Sequence, residues 1–67
     1  MEIKLNHQLK EVASEISVQQ LLNDTIGEKQ KGIAVSINYN VVPKTTWSQH
    51  LVQANDDILI IKATQGG

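Results

Sequence analysis

The stretch Asp57–Gly67, DILIIKATQGG, contains the sharpest change of character in the chain. Four consecutive aliphatic residues, Ile58–Ile61, pass through one lysine into a short polar stub that closes on Gly66–Gly67. Branched side chains at this density favour a strand. Strand parity sets Ile58 and Ile60 on one side, Leu59 and Ile61 on the other. The strand is expected to end at Lys62 or Ala63, and one of its two pairs needs a core to enter. The rest of the sequence must supply that core.

Working outward, Gly32–Asn38 reads GIAVSIN, with Ile33, Val35 and Ile37 on one face and the small Ala34 and Ser36 on the other. Asn38–Asn40 is expected to turn. Val41–Lys44, VVPK, reads as a short strand kept at an edge or end by Pro43, which lacks a backbone donor. Thr45–Leu51 is irregular or one helical turn. Met1–Leu5 alternates Met1, Ile3 and Leu5 against Glu2 and Lys4, the period of a half-buried strand. Asn6–His7 suits a turn because Asn tolerates positive φ. Gln8–Val12, carrying Leu9 and Val12, completes an N-terminal hairpin.

Between the two sheet-forming regions lies one helix. Ser17 can cap it, with Gln20 three residues on as the reciprocal side chain of a capping box. Val18, Leu21, Leu22, Thr25 and Ile26 form the apolar stripe. Gly27 stands where a helix favours a left-handed residue, and Glu28–Lys31 is a solvated connection. Strands and a helix in this order describe an α+β architecture, a mixed sheet with one main helix packed across one face.

Composition narrows the possible functions. Sixty-seven residues accommodate a single domain, residues 1–67. A domain of this size buries roughly 60% of the surface its unfolded chain exposes. With no cysteine and with His7 and His50 far apart, no disulfide or zinc is expected to staple the fold. A net charge of −1 gives no electrostatic footprint for nucleic acid. The run Ile58–Ile61 is far short of the ~20 residues that span a bilayer. No membrane association is expected, and the cytoplasm is the expected location. Gly27, Gly32, Gly66 and Gly67 match no phosphate-binding loop. Asp24, Asp56 and Asp57 are read as solvated surface, as are His7 and His50. Trp47 is read as closing one end of the core.

The element order and the closing Gly-Gly together resemble the β-grasp, or ubiquitin-like, fold. Within it the chain is similar to the ThiS family of sulfur carriers in thiamine (thiazole) biosynthesis. The likeness rests on MEIKLN at the start, VQQLL in the helix, GIAVSINYNVVPKTTW in the middle and DDILIIKATQGG at the end. The family's acidic-Gly-Asp turn before the last strand is replaced here by Ala54–Asn55–Asp56. Asn is the commonest non-glycine residue at positive φ, so the turn is expected to survive.

The resemblance implies that Ile58 and Ile60 enter the core, leaving Leu59 and Ile61 on the open sheet face as a docking patch. It also implies a working tail from about residue 63 to 67. Ala63–Gly67, fully extended, reaches roughly 13 Å, and glycines at 66 and 67 suit a narrow channel. Gln65 and Gly66 would thread into a partner's active site. An E1-like adenylyltransferase of the ThiF type, using ATP and Mg²⁺, would form an acyl adenylate on Gly67. A persulfide donor would convert it to a thiocarboxylate, and thiazole synthase of the ThiG type would receive the sulfur. By this resemblance the chain binds no cofactor and is a substrate of its partners, not an enzyme. Alternatives are the small subunit of molybdopterin synthase, a ubiquitin-like modifier conjugated through Gly67, and a binding module whose tail is irrelevant.

Overall fold

The computed structural model describes residues 1–27 and 30–62. Five strands form one mixed sheet: β1 (Glu2–Leu5), β2 (Gln8–Glu11), β3 (Ile33–Ile37), β4 (Asn40–Val41) and β5 (Asp57–Lys62). Their spatial order is β2-β1-β5-β3-β4. The last strand in sequence is therefore the middle strand in space, parallel to β1 and antiparallel to β3.

Two hairpins flank it, and both use the same local chemistry. Leu5 pairs with Gln8 across Asn6–His7, and Ile37 pairs with Asn40 across Asn38–Tyr39. All four turn residues have positive φ, between 49° and 70°. Two-residue turns of this kind match the right-handed twist of the strands they join. An asparagine leads each because its short polar side chain tolerates the left-handed region. Asn55, at φ 68°, makes the turn before β5, as the sequence implies.

The helix α1 spans Val18–Thr25. Ser17 caps it, its Oγ accepting the Gln20 amide at 3.1 Å. The return bond from the Gln20 side chain is absent among the described residues. Gly27, at φ 59°, ends the helix, and its amide donates to the Leu22 carbonyl. Val18, Leu21 and Leu22 are buried against the sheet; Ile26 is half-buried and Thr25, at the edge of the stripe, is exposed.

The core joins Ile3 and Leu5 of β1, Val35 and Ile37 of β3, Ile58 of β5 and the helix stripe. Met1 and Ile60 pack against its margin. Val12, one residue beyond β2, is buried, whereas Leu9 within β2 is exposed. Trp47 is 1% exposed and its Nε1–H donates to the Val42 carbonyl at 2.9 Å. It closes the core beneath the long connection from β4 to β5, as expected of the single tryptophan.

One element differs from the sequence reading. The expected strand Val41–Lys44 is instead Asn40–Val41, and Pro43 stands outside it, at φ −60°, opening a 3₁₀ turn over Lys44–Thr46. The turn takes only Asn38 and Tyr39, which releases Asn40 to pair with Ile37. Val42 then leaves the sheet to enter the core, and the proline's fixed φ starts the turn that carries Trp47 inward.

Candidate functional site

The site expected from sequence lies where β5 leaves the sheet. Its first residues are held on both sides by backbone bonds: the Lys4 amide donates to Asp56 O, the Asn6 amide to Ile58 O and the Asn38 amide to Asp57 O. At both hairpin turns the ladder would then break, because a left-handed residue swings its own carbonyl out of register. Here the asparagine side chains substitute. Asn6 Oδ1 accepts the Ile60 amide at 2.8 Å, and Asn38 Oδ1 accepts the Asp57 amide at 3.0 Å. Each asparagine thus makes the turn and carries one further rung.

Asp56 anchors the entry to β5 and corrects the sequence reading. It is buried, 7% exposed. Its two carboxylate oxygens accept Asn38 Nδ2 at 3.1 Å and the Gln53 amide at 2.8 Å. Asp57 is half-buried, and its Oδ1 is buried without a partner among the described residues. Asp24 is exposed on α1, as expected. The three carboxylates do not form one cluster: Asp56 works within the turn, because a buried acceptor is tolerated when its hydrogen bonds are filled.

The far face of β5 is open. Ile61 is 54% exposed and Leu59 is half-buried. Cross-strand register sets Ala34 beside Ile61, and Ser36 between Leu59 and Val41. Val41 and Ile61 are both exposed, so small residues on β3 leave a shallow apolar surface between two branched side chains. The patch expected from Leu59 and Ile61 is accordingly widened by Val41, which the sequence reading missed because it placed β4 one residue later. Lys4 and Asp57 lie opposite each other on the same face.

Gln65, Gly66 and Gly67, the expected tail residues, lie outside the described residues. His7 and His50 are exposed and separate, as expected of surface residues. Asn6 and Asn38 are the positioning residues that sequence reasoning missed. Asn6 was legible as a turn former, but nothing local reveals that its oxygen reaches a strand 54 positions later.

The comparisons with known proteins agree with the fold. The family model described as "ThiS family" matches residues 3–67. The chain is 37% identical, over 67 residues, to "Sulfur carrier protein ThiS" of Escherichia coli (strain K12), and the match covers all of both chains. Among solved structures, the crystal structure of a thiamine biosynthesis protein (ThiS) from Geobacter metallireducens superposes with a TM-score of 0.88 at 20% identity, covering all of both chains. A solution structure of a thiamine biosynthesis protein from the same organism gives 0.79 at 20% identity, covering all of this chain and 88% of that one. At that identity the likeness shows the fold, a β-grasp with one helix across a five-stranded mixed sheet.

Proposed function

The chain belongs to the ThiS family, and from that premise we propose that it is a sulfur carrier of thiamine biosynthesis whose Gly67 carboxylate is the loading point. The observation that carries the reading is the alignment to the last residue: the family match runs through residue 67, and the Escherichia coli carrier is covered end to end.

A carboxylate is a poor electrophile at neutral pH, so loading requires activation by another protein. A Gly67 carboxylate oxygen attacks the α-phosphorus of ATP on an E1-like, ThiF-type adenylyltransferase, which supplies the Mg²⁺, and pyrophosphate leaves. The terminal sulfur of a persulfide, a better nucleophile than any oxygen group here, attacks the acyl carbon and AMP leaves. A thiol then cleaves the S–S bond, and Gly67 carries a thiocarboxylate. Thiazole synthase of the ThiG type takes the sulfur. Gln65 and Gly66 thread into the partner's active site, and Gly66 suits a narrow channel because it has no Cβ.

In this scheme the folded body acts as a handle. Leu59 and Ile61 are the docking residues, and their support is the apolar surface shared with Ala34 and Val41 on the face away from the helix. Desolvating such a surface favours association without requiring the core to move. The chain is a substrate of its partners and supplies no catalytic side chain.

The test is whole-protein mass spectrometry after incubation with the adenylating enzyme, ATP and a persulfide donor. Conversion of one oxygen to sulfur adds about 16 Da, and a persulfide that is competent as a nucleophile should produce it. No such species, with enzyme and donor shown active on another carrier, would overturn the reading.

A further inference from the structure

The rungs of β5 run out on its two sides at different places. The amide and carbonyl groups of Asp57, Leu59 and Ile61 point toward β3, whose pairing continues to Ile33 opposite Lys62. Those of Ile58 and Ile60 point toward β1, as the Asn6–Ile58 and Ile60–Asn6 bonds establish. Alternation along a strand sends the Lys62 amide the same way. On that side β1 stops at Leu5, and Asn6 supplies the last acceptor before the chain turns into β2. Among the described residues, the Ile60 carbonyl and the Lys62 amide have no backbone partner.

We propose that this gap beside β5 is a pairing slot for an extended backbone segment of the adenylating enzyme, which donates to Ile60 O and accepts from Lys62 N–H. The proposal rests on the carrier reading and specifies how the partner grips the root of the tail. The two groups are one acceptor and one donor on one strand edge, a spacing that another strand satisfies and a small ligand does not. The position argues for the enzyme as occupant. Gly67 is five residues beyond Lys62, so whatever works on that carboxylate lies within about 16 Å of the slot if the chain is extended. Pairing there fixes the direction in which the tail leaves, while the neighbouring Leu59 and Ile61 supply apolar contact on the open face. The asparagine at position 6 defines the slot: a backbone rung at its place would have continued β1 and filled it.

The experiment uses the full chain made by chemical synthesis with the Lys62 amide replaced by an ester, which removes the N–H and keeps the side chain. The free ester protein should keep the parent's fold and melt only slightly lower, since the Lys62 N–H has no partner among the described residues, while the ester makes the Ile61 carbonyl a weaker acceptor toward β3. With the adenylating enzyme, the KM for the carrier should rise about fivefold at unchanged kcat, the effect of one lost hydrogen bond. In the parent, amide exchange at Lys62 should slow when the enzyme is added without ATP. Normal charging with an unchanged KM and unprotected Lys62 would overturn the slot while leaving the carrier reading intact. Protection of Lys62 in the protein alone at high concentration would assign the edge to a second copy and overturn the proposal. Failure of charging in the parent would remove both.

Discussion

Asn6 Oδ1 accepts the backbone amide of Ile60 at 2.8 Å, tying the first turn of the chain to the strand that ends it. The bond occupies the place in the parallel ladder that the Asn6 carbonyl has left. It is the last rung on the β1 side of β5. Two demands meet at one position: positive φ, and an acceptor about one side chain long. Glycine meets the first and alanine neither.

Replacing Asn6 separates those demands. Asn6→Gly should lose about 1 kcal/mol of stability, the net contribution of one hydrogen bond, with faster amide exchange at Ile60. Asn6→Ala should lose about 1 kcal/mol more, because a Cβ is strained at φ 49°. Urea denaturation and residue-level exchange measure both. Equal stability of the Gly variant and the parent, with Ile60 still protected, would show that the oxygen contributes nothing.

Asp56 should be intolerant of truncation. Asp56→Ala leaves the Gln53 amide and the Asn38 side-chain amide without their acceptor and should lose about 2 kcal/mol, consistent with the desolvation penalty of unpaired groups. Asp56→Asn retains one acceptor oxygen and should lose less. Chemical denaturation followed by circular dichroism ranks the three proteins, and a neutral Asp56→Ala would contradict the buried role.

Trp47 gives a graded pair of variants. Trp47→Phe retains a ring but orphans the Val42 carbonyl, and should lose about 2 kcal/mol. Trp47→Ala leaves a cavity and should lose about 4 kcal/mol, close to the whole stability of a domain this small. Circular dichroism is the suitable probe because the variants have lost the single tryptophan. A Trp47→Ala protein that melts as the parent does would show that the core closes without it.

The open face should be separable from the fold. Ile61→Glu replaces an exposed side chain, so stability should stay within about 0.5 kcal/mol. Under the carrier reading, the KM of the adenylating enzyme for the variant should rise about tenfold or more, the scale of an interface anchor. Steady-state pyrophosphate release measures it. An unchanged KM with both Leu59→Glu and Ile61→Glu would remove the docking patch.

The tail should be dispensable for folding and required for loading. A chain lacking Gly66 and Gly67 should melt as the parent does, since every described core residue lies at or before Ile58. It should not yield the sulfur-bearing species. Loading of the shortened chain would place the acceptor elsewhere.

The sequence by itself determined the elements whose signals are local. Alternation marked β1 and β3, a dense run of aliphatic residues marked β5, and the period of 3.6 with Ser17 and Gly27 bounded α1. The asparagines announced their turns because their own side chains permit positive φ. The boundary of β4 was misplaced because a two-residue strand carries no periodicity, and only pairing with β3 fixes it. The same limit hid the burial of Asp56, which depends on Asn38 arriving from another hairpin. Tertiary structure alone decided that the last strand is the central one and that Asn6 supplies its final rung. Such facts are long-range: a hydrogen bond between residues 6 and 60 leaves no trace in either neighbourhood until the chain between them has folded.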